Sequence, residues 1–262
     1  KKKIPYGVSN FELLQNENYY FVDKTKYIET LEKGNERYLF FLRPRKFGKS
    51  LFISLLHYYY GLEYKEKFKK LFSEYYIGTN PTPKANSYYV LKFDFSVITT
   101  TNPESTFTSF KEKVINGIIS FQTAYQLFTD EIIDEINSLS NPGDILGKFL
   151  VLFAKINKGG KIFLLIDEYD HFTNELISFR LTEFKDIVSR NGYVRKFYEA
   201  IKEGTGSGIV DRFFATGVTP VTLDSLTSGF NISSDMTTES VFNEMHGFTD
   251  EEVKQMLEYY EV

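Results

Sequence analysis

Three short apolar runs organise this chain, and each ends on polar residues. Tyr38 to Leu42 leads into Arg43-Pro-Arg-Lys-Phe-Gly48-Lys49-Ser50, Ile162 to Ile166 leads into Asp167-Glu168, and Phe213 to Ala215 ends on Thr216-Gly217. Continuous apolar runs of this length suit the central strands of a parallel sheet, buried on both faces. Tyr88 to Phe95 is β-branched and aromatic, closes around Asp94 and Ser96, and predicts a further strand. Between these runs the spacing turns helical. Leu51, Phe52, Leu55, Leu56 and Tyr59 recur on one face and stop at Gly61. Helices are also predicted over Lys24 to Lys33, Glu63 to Ser73, 104 to 138, 144 to 157 and 180 to 203. Asn141-Pro142-Gly143 separates two of them, and a glycine-rich turn is expected from Gly204 to Gly208. Residues 1 to 20 and 221 to 248 give no clear period. Thr249 to Glu252 is a capping box that opens a last helix, and the chain stops inside it, so continuation beyond Val262 is expected.

Alternating strands and helices predict an α/β fold with a mainly parallel central sheet, in three layers. The expected division is an N-terminal segment, 1–34, packing on a core of 35–230, with 231–262 beginning a truncated C-terminal helical segment.

The strand ends carry the chemistry. In an open parallel sheet, ligands bind beyond the carboxyl ends of the strands. Gly48-Lys49-Ser50 between a strand and a helix has the layout of a phosphate-binding loop, although Arg43 stands where the usual first glycine belongs. The backbone donors that matter come later, from Lys46 to Ser50, at the positive end of a helix. Arg45, Lys46, Phe47, Gly48, Lys49, Ser50 and Leu51 are therefore the predicted phosphate-binding residues. Lys49 would reach the β- and γ-phosphates, and Ser50 and Asp167 would hold Mg²⁺. Glu168 would orient and deprotonate a water, and Thr216 would sense the γ-phosphate or position that water. Each motif alone has a plainer reading: a strand-to-helix turn with a surface lysine, or a strand end running into a solvated turn with Asp170 as a helix cap. Their joint occurrence at three successive strand ends favours ATP-Mg²⁺.

Composition narrows the alternatives. The chain has 262 residues, 42% of them hydrophobic, enough for a full core. A net charge of −4 provides no global basic field for nucleic acid. The absence of cysteine removes disulfides and thiolate chemistry, and the three histidines show no ligand spacing. No apolar run approaches the roughly 20 residues that cross a bilayer, and the Lys1-Lys-Lys-Ile start lacks a signal-peptide core, so a cytoplasmic protein without membrane contact is expected. The 26 Phe and 19 Tyr are assigned to core packing rather than base stacking.

The segments Ile4 to Phe11, Tyr20 to Thr25, Arg43 to Ser50, Leu165 to Asp170, Phe214 to Pro220 and Gly247 to Val253 resemble the AAA-ATPase-like family of bacterial proteins, over essentially the whole chain. The resemblance implies a P-loop NTPase of the additional-strand (ASCE/AAA-like) class, with the Lys49 and Asp167 strands separated by the Thr216 strand. It makes Arg43 a family trait and places Phe21 and Val22 near the adenine. It implies slow ATP hydrolysis that drives or gates a conformational change. Members often continue into a restriction-endonuclease-like domain, which implies a nucleic-acid or protein partner reached beyond Val262; within this chain the Asp94 strand end lacks the Glu-x-Lys partner of a nuclease. Two other readings stay open: a nucleotide-gated binding module without turnover, and a nucleic-acid-binding module using the basic loop 43–49. Arg180, Arg195 and Arg212 are equal candidates for an arginine finger.

Overall fold

A computed structural model describes residues 1–220 and 230–262. Part of the polar stretch left without a predicted element, 221–229, lies outside the described residues. The first three predicted strands form as β1 (Tyr38–Leu42), β2 (Tyr89–Asp94) and β3 (Ile162–Asp167), followed by β4 (Val210–Gly217). A two-residue strand, β5 (Ser234–Asp235), completes a five-stranded sheet in the order β2-β3-β4-β1-β5. Every pairing is parallel. The strand carrying Lys49 is thus separated from the strand carrying Asp167 by β4, which ends in Thr216-Gly217.

Helices cover both faces because successive strand residues alternate in direction. Phe40, Leu91, Phe93, Leu164, Ile166, Phe213 and Ala215 enter one core. They pack with α6 (Pro103–Tyr125), α7 (Asp130–Asn137), α8 (Pro142–Ile156), α9 (His171–Phe179), α10 (Leu181–Val188) and α11 (Tyr193–Gly206). Leu39, Phe41, Val90, Phe163, Leu165 and Phe214 enter the opposite core, beneath α1 (Phe11–Asn16), α2 (Lys26–Lys33), α3 (Lys49–Tyr60), α4 (Phe68–Phe72) and α5 (Tyr76–Thr79). By the same alternation Asp94, Asp167 and Thr216 lie on the α3 face.

The differences from the sequence expectations have local causes. Residues 1 to 20 hold α1, started by the Asn10 side chain accepting from the Leu13 N–H. The helix expected over Glu63 to Ser73 is a 3₁₀ stretch, Leu62–Lys67, followed by α4. The long helices break where caps compete: Thr129 precedes α7, and Gly192 divides α10 from α11. The expected turn at Gly204 to Gly208 is mostly helix, since α11 runs to Gly206 before turning. The last helix, α12 (Asp250–Tyr260), carries the expected capping box, with reciprocal bonds between Thr249 and Glu252. Among the described residues no helix is long and apolar enough to cross a membrane.

Candidate functional site

The loop between β1 and α3 is held at its start and open at its tip. The Arg43 N–H donates to the Gly217 carbonyl (3.1 Å), fixing the chain to the end of β4. The Arg43 guanidinium lies 4.4 Å over the Phe41 ring and donates to the carbonyls of Leu42 (3.0 Å) and Thr237 (2.8 Å). In place of a glycine, then, this position holds a clamp between the loop and the segment after β5. Pro44 to Gly48 are exposed, including Arg45 and Lys46, and Phe47 is 40% exposed. Lys46 (φ 68°) and Gly48 (φ 82°) adopt left-handed backbone, which reverses the chain and delivers it into α3. Only glycine takes that conformation freely. No side chain caps α3, so the N–H groups of its first turn stay available, as an anion site requires. Leu51 packs onto the core behind them and holds that turn down.

Lys49 is buried, and its ammonium donates to the Pro44 carbonyl at 3.0 Å. Burial pulls its pKa down, while the carboxylates of Glu168, Asp167 and Asp170 oppose that shift. All three carboxylates therefore act on one ammonium. Asp167 is 4% exposed, with Oδ1 lacking a partner among the described residues. Burial pushes its carboxyl up to about 6, the Ser50 hydrogen bond works against this, and repulsion from Asp94, its register partner on β2, adds to it. A buried carboxylate oxygen with nothing to bind costs free energy unless a cation or proton arrives. Ser50 and Asp167 give a hard cation two oxygen donors and leave the other positions to water and phosphate, which fits Mg²⁺. Among the described residues no cluster of three or more His, Asp or Glu side chains forms a cage for any metal.

Glu168 turns the chain out of β3 in left-handed backbone (φ 51°) and remains half-exposed at the edge. Thr216 is placed differently from the sensor role expected of it. It is fully buried, and its hydroxyl donates to the Phe41 carbonyl at 2.9 Å. Facing inward under α3, that hydroxyl finds its acceptor on the neighbouring strand. Phe21 and Val22 are half-buried, and the Phe21 ring packs on Phe11 (5.4 Å) and Tyr75 (5.2 Å). Of the three arginines, Arg212 is buried and donates to the Leu31 carbonyl, while Arg180 and Arg195 pair with Glu183 and Glu199.

Two residues beside the loop escaped the sequence reading. Asp170 occupies the N-cap position of α9, but its side chain makes no capping hydrogen bond. Its Oδ2 accepts the N–H groups of Val218 (2.9 Å) and Thr219 (2.7 Å), and its buried Oδ1 has no partner among the described residues. A Cβ on Gly217 would collide with that oxygen and with the Tyr169 ring, so the end of β4 is moulded around Asp170. Its buried carboxylate in Asp-Glu-Tyr-Asp had no spacing signal to distinguish it from a cap. His246 is 6% exposed and stacks on Phe41 (4.8 Å) and tilts against Phe52 (5.0 Å). Burial, with the cations Arg43, Lys49 and Lys24 nearby, pulls its pKa down to about 3.

The comparisons agree with this geometry. The family described as predicted AAA-ATPase matches residues 5–227. A protein of Azotobacter chroococcum mcd 1, described as an uncharacterized protein in the vnfD 5′ region, is 26% identical over 257 residues, 97% of this chain and 44% of that relative. The chain thus spans less than half the length of that relative. No solved structure matches it. With a family match over most of its length and a phosphate-type loop beside a buried carboxylate, the chain belongs to the predicted AAA-ATPase family.

Proposed function

We propose that the chain binds ATP with Mg²⁺ in the 43–50 loop and hydrolyses it slowly, as a P-loop domain of the additional-strand class. The observation that carries this is the buried Asp167 Oδ1 beside Ser50, without a partner among the described residues, at the foot of the uncapped α3 N-terminus. Lys49 would exchange the Pro44 carbonyl for phosphate oxygen, and the first-turn N–H groups of α3 would hold the phosphates. Ser50 and Asp167 would carry Mg²⁺, which offsets phosphate charge. Glu168 would take the proton of the attacking water, and Asp170 would keep the 217–219 turn in place beside it. The nucleotide state would reach the C-terminal segment, 231–262, through its contacts with the loop.

The Thr216 geometry favours a second reading, a nucleotide-gated module that does not turn over. With its hydroxyl donating to the Phe41 carbonyl, Thr216 would have to give up that bond to sense the γ-phosphate. The experiment is thermal unfolding with and without Mg-ATP. Saturating nucleotide at a hundredfold excess over Kd adds about 2.7 kcal/mol. Lys49→Ala should lose that gain, and a gain equal to wild type would overturn the site. Phosphate release by the wild type then separates turnover from binding alone. Binding of nucleic acid that is indifferent to Mg-ATP would instead favour the exposed Arg45 and Lys46 acting on another phosphate polymer.

A further inference from the structure

A cavity of about 820 Å³ lies on the β2 side of the carboxyl edge, lined by none of residues 43–50 or 167–170. It opens among the starts of α6 and α8, the joint between α9 and α10, and the start of α11. Its walls are aromatic and apolar: Phe107 and Tyr193 meet edge to face at 5.1 Å, Ile187 lines the wall, and Phe179 and Leu181 stand 83% and 50% exposed at the mouth. Such exposure of a large aromatic over a concavity suits a surface that another molecule covers.

Two of its buried polar atoms have no partner among the described residues. Glu183 is 9% exposed; Arg180 holds its Oε2 at 3.1 Å, and its Oε1 has no partner among the described residues. The buried Tyr193 hydroxyl also has no partner among the described residues, and its phenol is pushed up by burial and by the Glu183 charge. Arg180 also donates to the Thr101 carbonyl, so its guanidinium is engaged within the protein. Asp186 adds a second, exposed carboxylate to the lining.

We propose that this cavity binds an organic cation, an alkylammonium or guanidinium group carried on an apolar stem. Glu183 Oε1 supplies the acceptor that a buried N⁺–H requires. Tyr193, Phe107 and Phe179 line the cavity and would offer aromatic surface to the charge, and the stem would lie against Leu181 and Ile187. The lining carries two carboxylates against one guanidinium, which Glu183 Oε2 and the Thr101 carbonyl already engage, so its charge balance disfavours a free anion; a neutral apolar group leaves Glu183 Oε1 buried without a partner among the described residues.

The same cation can be a free amine or a basic side chain of a polypeptide, and one titration separates them. Full-length protein would be titrated by NMR with phenethylammonium, with phenethyl alcohol and phenylacetate as neutral and anionic isosteres, and with an N-acetylated, C-amidated Phe-Arg dipeptide. Saturable shifts of Tyr193 and Phe107 resonances are expected with the cation, and at least about tenfold weaker binding with either isostere. Stronger binding of the dipeptide than of the amine assigns the site to polypeptide, and the reverse assigns it to small amines. Glu183→Gln should weaken the cation by about tenfold or more. Should that variant fail to fold, Phe179→Ala, which removes an exposed ring, should weaken the cation while leaving unfolding unchanged. Equal binding of alcohol and amine, unchanged affinity in both variants, or no saturable shift would overturn the proposal.

Discussion

Gly247 donates its backbone N–H to the Phe47 carbonyl at 3.1 Å, joining the turn before α12 directly to the tip of the phosphate-type loop. Gly247 has left-handed backbone (φ 78°), and a Cβ there would lie 3.0 Å from the Phe47 ring. The same turn is tied to the N-terminal segment, because Lys24 Nζ binds Glu252 Oε1 at 2.5 Å and Glu252 completes the cap of α12. Loop, C-terminal helix and the start of α2 are therefore one connected unit. Gly247→Ala should cost about 1–2 kcal/mol through backbone strain and should weaken Mg-ATP by displacing Phe47. Urea unfolding and nucleotide titration measure the two effects separately, and unchanged nucleotide affinity would show the contact to be structural only.

Glu168→Gln tests turnover without disturbing the cradle. Its half-exposed side chain has no hydrogen bond among the described residues, and the amide would remove only its charge on Lys49. Phosphate release should fall by about 10²- to 10⁴-fold, the usual contribution of a positioned base. Nucleotide affinity should stay within about twofold of wild type. Equal turnover would move the base elsewhere, with Asp94, beside Asp167 on the same face, the next candidate.

Asp170→Ala should destabilise the protein by about 3 kcal/mol, since it strands the N–H groups of Val218 and Thr219 and removes a charged acceptor. Asp170→Asn keeps one carbonyl oxygen and should recover part of the loss. Denaturant midpoints give both values.

The Asp167 carboxyl has a pKa of about 6 in the folded chain against an ordinary value of 3.8. Its folded-state value is raised, so its contribution to stability is fully present below the ordinary value and is lost as pH rises through about 6. Mg²⁺ binding runs the other way, because the cation must displace the proton. Mg²⁺ affinity in the presence of ATP should be flat above pH 7 and about tenfold weaker at pH 5. Asp167→Asn should remove most of the binding and its pH dependence together.

His246 shows the opposite sign. Its folded pKa of about 3 lies below the ordinary 6.5, so its contribution is present above 6.5 and is lost as pH falls toward 3. Its imidazole ¹³C and ¹⁵N resonances should report a neutral ring at pH 5 in the native protein, and a protonated ring there would contradict the buried placement.

The parts of the site legible in the sequence are those written in unbroken apolar runs. Ile162 to Ile166 and Tyr38 to Leu42 could only be buried on both faces, and their last residues had to emerge at one edge. Lys49, Ser50 and Asp167 followed from that. The unread parts depend on contacts between distant segments. Ser234-Asp235 has no strand composition, and it becomes β5 by pairing with Leu39 and Phe40 on the free edge of β1. The inward direction of Thr216 follows from its sharing a face with Phe214, which needs the sheet register. Asp170 and His246 look ordinary in the sequence because their meaning lies in Thr219 and Phe41, far along the chain. The break at Gly192 was missed because α10 and α11 share one apolar period.

The strand order has a consequence for how the protein comes into being. Among the described residues β1 pairs only with β4 and β5, both far along the sequence from it. A ribosome releasing the N-terminal half therefore exposes Tyr38 to Leu42 with no sheet to join, and the Gly48-Lys49-Ser50 loop has nothing to hold its shape. Pairing across such long separations makes folding slow and leaves apolar edges open to wrong partners. Fragments ending before Gly217 should acquire neither the loop nor any fraction of its ligand affinity.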